Sequence, residues 1–423
     1  MFLRTLSYFP HIYKTQYVNA DTLKKIQEKK LRHLVDHAYK NIPLYKKKFK
    51  KVHITPSDIT TLDDIIKLPL TTKDEIKAVY PEGACAPGCS EETCLMDRTS
   101  GSSGNILNVL YDLKSFDFAT AVALRSYIAV GIKPWHKFGM ILRRPEEVNP
   151  MGTRTFGLSG GLSQRELVHK ARERQPYILA GHPHTFVAMA KFMEKEGITD
   201  LNPSIILLGG ELAYPSAREY IEKIFKGKTF NKYGAFETYS IAWECPHQNM
   251  HIDADAVLLE VLTDGEPAAP GEPGEVVVTN LWNMAMPFIR YKLDDVAVLQ
   301  DPDDVCSCGR TLPLLKDLKG RCDDFIVLPS GDLIPPLRIA PYFFAVSEID
   351  QFKIIQDAQT HMVIQVVFNT EDTTDIEKTL VSTVYTALKE SIDIELDIVD
   401  HIPQTGNQKF KRFHRTFAYD TPF

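Results

Sequence analysis

No stretch of this chain approaches the ~20 consecutive apolar residues that a membrane-spanning helix needs, so a helical membrane protein is not expected. The opening residues, Met1-Phe2-Leu3-Arg4, lack the continuous apolar core of a signal peptide. Excess positive charge is missing too. Lys and Arg number 49 against 55 Asp and Glu, a net charge of −6, which argues against nucleic acid as the main partner. The one basic run, Tyr45-Lys46-Lys47-Lys48-Phe49-Lys50-Lys51, reads as a solvated face, with anion or membrane binding a distant second. Cysteine is sparse and odd in number, seven in 423 residues, and is not spaced as a disulfide framework. These absences lead us to expect a reduced, cytoplasmic protein whose paired cysteines hold metal rather than cross-link. Internal repeats and low-complexity tracts are absent as well.

What is present is ordinary in bulk and specific in places. A length of 423 residues calls for two or more domains, and 44% apolar with 25% charged content fits a globular chain. From Asp21 to Ala38 the apolar residues Leu23, Ile26, Leu31, Leu34, Val35 and Ala38 form one helical stripe, which Pro43 ends. From about residue 80 to about 320, short apolar runs alternate with helical patterns, as in α/β layers. Ile205-Ile206-Leu207-Leu208 predicts a buried strand that runs into Gly209-Gly210-Glu211, a tight turn of the kind that holds ligands. Val257 to Leu262 and Glu275 to Thr279 predict strands joined by the Pro/Gly-rich turn 266–274. The last hundred residues change character. They read as strands at Phe352 to Gln356 and Met362 to Phe368, a helix along Ile376, Leu380, Val381, Val384 and Leu388, and an alternating strand at Ile392, Ile394, Leu396 and Ile398. Thr374 and Glu377 fit a capping box for that helix. The reading is therefore an α/β protein with a large domain over 1–320 and a small α+β domain over 321–423, the junction falling near Gly320 to Asp324.

The segments that carry chemistry follow in order. Arg98-Thr99-Ser100-Gly101-Ser102-Ser103-Gly104-Asn105 is almost all small, hydroxylated or amide-bearing. Such a loop can wrap backbone N–H groups and hydroxyls around a phosphate. No Gly-Lys-Ser/Thr follows its last glycine, so it is not a Walker loop. Read alone, it is equally a flexible surface loop. In Tyr233-Gly234-Ala235-Phe236-Glu237 a ring can lie on a flat base while the acid reaches a metal or a phosphate-bound water; an ordinary strand-to-loop turn has the same residues. Arg290-Tyr291-Lys292-Leu293-Asp294-Asp295 ends in an aspartate suited to two ribose hydroxyls, or in a solvated turn with an Arg–Asp pair. Arg290 itself either holds the motif loop or makes a structural ion pair. Gly320-Arg321-Cys322-Asp323-Asp324 offers Arg321 for ribose or phosphate and Asp323 as a hinge, or else a charged linker. Lys409, in Thr405-Gly406-Asn407-Gln408-Lys409-Phe410-Lys411, can reach a site as a point charge or stay solvated. Cys306-x-Cys308 is a tight chelating pair, and upstream lie Cys245, His247 and His251. Cys245, His251, Cys306 and Cys308 make a closed three-thiolate, one-imidazole set, structural rather than catalytic, with His247 as the competing imidazole and free thiols as the alternative. Cys85, Cys89 and Cys94 also cluster but have no histidine nearby and read as ordinary buried or loop residues.

In order and spacing these segments resemble the adenylate-forming superfamily of acyl-CoA synthetases, luciferases and peptide-synthetase adenylation domains, over essentially the whole chain. The branch they are most similar to is that of the phenylacetate–CoA ligases, through Met286-Pro287-Phe288-Ile289-Arg290-Tyr291, Cys306-Ser307-Cys308-Gly309-Arg310-Thr311 and Asn41-Ile42-Pro43-Leu44-Tyr45. The resemblance implies a large domain of layered sheets and helices with a small β-barrel, and a small mobile C-terminal lid. It implies ATP, Mg²⁺ and CoA as cofactors and a carboxylic acid, aryl or arylacetic, as substrate. Thr99 and Ser100 to Gly104 then take the phosphates, Gly209, Gly210, Glu211, Tyr233 and Gly234 the adenine region, Glu237 the Mg²⁺, Asp295 and Arg321 the ribose, and Lys409 the α-phosphate. Structural Zn²⁺ at the Cys/His set fits zinc-bearing members of the branch, and a homodimer fits the branch as well.

Three residues depart from the family pattern: Phe236 in place of a small or hydroxylated residue, Asn105 after the phosphate loop, and Gln408 before Lys409, which leaves Lys411 as a second reach. Other outcomes stay open on sequence grounds: adenylyl transfer to a deazaflavin hydroxyl, loading of a phosphopantetheinyl carrier protein, or a nucleotide-binding non-enzyme. His182, His184, Phe156 and Trp282 either line the acid pocket or belong to core and surface.

Overall fold

The computed structural model describes residues 2–99, 106–142, 154–346, 348–390, 392–403, 411–419 and 422. Two compact units interleave along the chain: Met1–His136 with Phe230–Leu293 and Ala297–Asp317, and Lys137–Thr229 with Asp294–Val296 and Leu318–Phe423.

The first unit opens with three helices, Phe2–Thr15, Ala20–Asn41 and Pro43–Lys51. The second of these begins where Asn19 accepts a hydrogen bond from the Thr22 N–H, and it buries Leu23, Leu31, Leu34, Val35 and Ala38 along the expected stripe. Pro43 does not simply end the pattern. It opens the third helix at N1, where its missing N–H costs nothing. The basic run therefore lies on a helix: Lys46, Lys47, Lys50 and Lys51 are exposed, while Lys48 turns inward to Glu75 (2.6 Å) and the Leu70 carbonyl (2.7 Å). The antiparallel strands Val257–Thr263 and Pro273–Asn280 pair from Val257 opposite Asn280 to Leu262 opposite Glu275, flanking the predicted turn. Met250–Ile252 pairs with Ala242–Glu244 on one side and with Leu314 and Leu315 on the other.

The second unit holds a parallel sheet in the order Ile205–Gly209, Ile178–Gly181, Phe138–Leu142, Thr155–Ser159. The helices Gln164–Arg174, Pro183–Lys195 and Pro215–Phe225 return the chain between strands. Ser163 and Glu166 form a capping box on the first, and prolines start the other two. Three of the four strands end at small residues, Gly209-Gly210, Gly181 and Ser159-Gly160-Gly161; the fourth ends at Leu142, and residues 143–153 lie outside the described set. The carboxyl edge of a parallel sheet is where α/β folds take ligands.

The same unit contains a four-stranded sheet, Asp393–Ile398, His361–Phe368, Ile349–Ala358 and Phe413–Arg415 in that order, backed by the helix Thr374–Leu388. Its elements match the sequence reading. The cap does not: the helix already begins at Thr374, and it is the Thr373 hydroxyl that bonds Glu377. In its core Phe343 stacks on Phe352, ring centroids 4.4 Å apart, and Phe413 meets Phe352 edge-on at 6.4 Å.

Candidate functional site

In the first unit, strand Leu95–Arg98 pairs antiparallel with Asn108–Tyr111. Thr99 closes the end of this hairpin, donating its N–H to the Leu107 carbonyl (3.0 Å) and accepting the Leu107 N–H on its hydroxyl (2.9 Å). Ser100, Gly101, Ser102, Ser103, Gly104 and Asn105 lie outside the described residues, so the hairpin fixes where the phosphate-loop candidate starts and ends.

Tyr233 ends the strand Lys228–Tyr233, opposite Ala242. A Cβ on Gly234 would stand 2.4 Å from the Tyr239 carbonyl oxygen, so only glycine fits this turn. Phe236 points to solvent and is 41% exposed. Glu237 turns inward instead. Its carboxylate accepts the Tyr291 hydroxyl (3.0 Å), and its carbonyl accepts the Asn280 side-chain N–H (2.8 Å). Tyr291 and Asn280, 54 and 43 positions away, are site-supporting residues to which the sequence reading gave no role. Arg290 takes the structural option: it pairs with Glu260 (2.7 Å) and donates to the carbonyls of Ile66 and Leu68. Trp282 is buried and stacks on Tyr111.

The Cys/His candidates come together in the same unit. Ligand atoms of Cys245, His251, Cys306 and Cys308 all lie within 4.8 Å of one another. The Cys245 and Cys306 sulfurs are 3.6 Å apart, and the Cys308 sulfur is 3.3 Å from His251 Nε2. A tetrahedral zinc ion with ~2.3 Å Zn–S and ~2.1 Å Zn–N bonds sets these edges at about 3.6–3.8 Å. His251 Nδ1 meets the Leu312 carbonyl (3.3 Å), which presents Nε2 to the thiols. Burial holds the His251 imidazole neutral, down at about 4. The competing His247 is exposed and meets the Ser307 hydroxyl (2.8 Å), so it is not one of the four.

In the second unit, Gly209, Gly210 and Glu211 leave the carboxyl edge of the parallel sheet. Gly210 has φ +79°, and a Cβ there would sit 2.5 Å from the His182 ring. His182 Nδ1 bonds the Gly209 carbonyl (3.0 Å), and the His182 and His184 rings stack with centroids 5.7 Å apart. His184 Nδ1 meets Glu211 Oε2 at 2.7 Å. Burial pushes the Glu211 carboxyl upward, but His184, with His182 and Arg412 beyond, outweighs it and holds the group at about 2. Glu211 thus stays an anion beside the turn. Arg412 is a contributor that the sequence reading did not single out.

Asp295 and Arg321 face each other in this unit. The guanidinium lies 3.4 Å from Asp295, 3.3 Å from Asp294 and 3.9 Å from Asp323. Lys411 pairs with Asp323 and lies 3.7 Å from Asp324. Burial and the neighbouring Asp323 push the Asp324 carboxyl up to about 7 against the pull of Lys411 and Arg321. Lys411 is therefore committed to the Asp323–Asp324 pair, which tells against it as a second reach. Lys409 and Gln408 lie outside the described residues.

Comparison with known proteins gives this arrangement a lineage. Residues 326–415 match the CapK C-terminal domain family. The chain is 26% identical to the phenylacetate–coenzyme A ligase of Thermus thermophilus over 350 residues, 78% of this chain and 77% of that protein. It is 20% identical to protein CapK of Staphylococcus aureus over 97% of this chain and 92% of that one. Among solved structures, 2-hydroxyisobutyryl-CoA ligase in the postadenylation state superposes with a TM-score of 0.82 at 19% identity, covering 94% of this chain and 90% of that one. The same ligase in complex with 2-HIB-AMP and CoA superposes at 0.67. By sequence the chain is a relative of the phenylacetate–coenzyme A ligases, and by structure it has the fold of the adenylate-forming acyl-CoA ligases.

Proposed function

We propose that this protein activates a carboxylic acid with ATP to an acyl-adenylate and then transfers the acyl group to the thiol of CoA. The observation that carries this reading is the alignment with phenylacetate–coenzyme A ligases over three quarters of the chain. The residues described above are of the types the reaction requires. In the first half-reaction the carboxylate attacks the α-phosphate in line and pyrophosphate leaves. In the second the thiol attacks the acyl carbon and AMP leaves. Two anions must meet in the first step, so cations have to cancel charge there. Thr99 and Ser100 to Gly104 hold the β- and γ-phosphates, and Gly209, Gly210, Glu211, Tyr233 and Gly234 frame the adenine. Asp295 and Arg321 take the ribose, and Lys409 bridges the substrate carboxylate and the α-phosphate. Glu237, a carboxylate only 6% exposed and oriented by Tyr291, suits Mg²⁺, whose charge offsets that of the phosphates when it is bound. Residues 321–423 act as a lid that turns about Asp323 and carries Lys409 toward and away from the reacting groups.

The acid is an aryl or arylacetic one, the enzyme is cytoplasmic and CoA is the acceptor, ahead of a carrier protein. A homodimer is the assembly we expect. The four-residue Cys/His set fits structural Zn²⁺ by donor type and spacing. Metal analysis is expected to find one zinc per chain that Cys306→Ser removes and His247→Ala retains. Retention in Cys306→Ser would reject the assignment.

The full chain incubated with ATP, phenylacetate and CoA is expected to yield AMP and a thioester, both read by mass spectrometry. Release of ADP, or pyrophosphate release with no thioester from any of a panel of acids, would overturn CoA ligation. The second result would favour adenylyl transfer to another acceptor.

A further inference from the structure

Cys85, Cys89 and Cys94 take no part in the chemistry above, yet the fold brings them together. They lie on the segment that leads into strand Leu95–Arg98, at the foot of the hairpin closed by Thr99 and Leu107. Turn bonds set their geometry: Cys89 N–H donates to the Ala86 carbonyl (3.0 Å) and Cys94 N–H to the Ser90 carbonyl (3.0 Å). Thr93 staples the turn, its hydroxyl accepting the Ser90 N–H (2.9 Å) and donating to the Gly88 carbonyl (2.8 Å). The chain folds back from residue 90 to residue 94, which brings the Cys94 side chain alongside that of Cys89. Cys85 beneath them is buried, while Cys89 and Cys94 are both partly open to solvent. The three do not form a ligand set as compact as the Cys245 cluster, which is the one such group among the described residues. That tells against a second metal site and leaves thiol chemistry.

We propose that Cys89 and Cys94 are a reversible dithiol–disulfide pair, oxidised by a small-molecule disulfide of the glutathione class. The Cys89 thiolate attacks one sulfur of the small disulfide, forming a mixed disulfide and expelling one thiolate. The Cys94 thiolate then attacks the Cys89 sulfur, closing the internal S–S bond and expelling the second thiolate. The two protons lost by the protein thiols go to the two expelled thiolates. The chain loses two hydrogens and the small disulfide becomes two thiols, so atoms and electrons balance. Burial, with Cys94 alongside, pushes the Cys89 thiol up to about 12. Such a pair oxidises slowly at neutral pH. Because the buried Cys89 thiolate is disfavoured, the reduced form gains nothing from it, and the disulfide, once closed, resists reduction. Closure pins the segment that enters the phosphate-loop hairpin.

The test is a mass map of the full chain after incubation with glutathione disulfide at about pH 8, where thiolate supply is larger. Residues 78–98 form a single tryptic peptide carrying all three cysteines and no others. That peptide is expected to lose about 2 Da, to regain it with dithiothreitol, and to fragment as a Cys89–Cys94 link. The loss is expected to persist in Cys85→Ala and to vanish in Cys94→Ser. No loss in the parent peptide, or a loss that survives Cys94→Ser, would overturn the pair. The peptide mass is read independently of acid activation, so the outcome does not depend on the catalytic assignment.

Discussion

Arg125 and Arg321 are both arginines set between aspartates, and they end in opposite states. Arg125 lies between Asp253 and Asp255, at 2.8 and 3.0 Å from the latter, with all three side chains at most 1% exposed. Asp253 also accepts the Trp243 indole N–H (2.8 Å) and the Ser240 hydroxyl (2.6 Å), while Asp255 accepts the Thr15 hydroxyl. Arg321 lies 3.3 to 3.9 Å from Asp294, Asp295 and Asp323 and keeps 38% of its side chain exposed. Asp323 Oδ1 and Asp324 Oδ1 are buried and accept no hydrogen bond among the described residues. The first cluster is sealed from solvent and ties the N-terminal helix to the strands around residue 253. The second lies where Asp295 and Arg321, the residues proposed for the ribose, are partly open to solvent. Similar residue chemistry thus sits in two settings, one sealed in the core and one partly open to solvent.

The largest expected effect separates the two arginines. Arg125→Leu strands two buried carboxylates and is expected to cost about 3–5 kcal/mol in denaturant unfolding. Arg321→Leu is expected to cost under about 1 kcal/mol, as its pairs are half-exposed. Equal costs would erase the contrast.

Next in size is Lys409→Ala, expected to slow adenylation by about 10²–10³ while thioester formation from supplied acyl-adenylate survives. Equal damage to both half-reactions, followed by stopped-flow, would remove Lys409 from its role.

Asp295→Ala sharpens the comparison from the ligand side. Losing one charge-assisted contact of about 1.5–3 kcal/mol should weaken nucleotide binding by roughly 10–100-fold in calorimetry with little change in Tm. A large fall in Tm with unchanged affinity would make Asp295 structural, as Asp253 is.

A further effect is a pH slope. The Asp324 carboxyl sits at about 7 in the folded chain, against about 3.9 when unfolded. Between these values the folded chain holds a proton that the unfolded chain has released. The contribution of this group to stability is therefore complete below about pH 4 and falls away as pH rises to about 7. Asp324→Asn should remove that slope, so its Tm gains on the parent across the window and the gap levels off above it. A parallel pair of Tm profiles would contradict the assignment.

Much of this was legible in the chain, for reasons that particular residues make plain. Ile205 to Leu208 is a continuous apolar run, and such runs become buried parallel strands. The four metal-ligand candidates were legible from residue type, but the choice between His247 and His251 was not. That choice rests on strand Met250–Ile252, which turns His251 inward beside Leu314 while His247 stays in an exposed turn. Glu237 was legible as an acid after an aromatic–glycine turn, whereas its partner Tyr291 depends on a contact 54 residues away. Spacing along a chain does not encode which distant strands become neighbours. For the same reason the grouping of Lys137–Thr229 with Leu318–Phe423 in one compact unit could not be read from composition, which shifts only near residue 320.

The central claim is that a carboxylate becomes joined to AMP on this chain, and isotope exchange tests it most directly. Labelled pyrophosphate, unlabelled ATP and a panel of aryl and arylacetic acids are incubated with the full chain and no thiol. The account predicts label entering ATP with at least one acid and none without acid. Nucleotide binding with no acid-dependent exchange across the panel would contradict it.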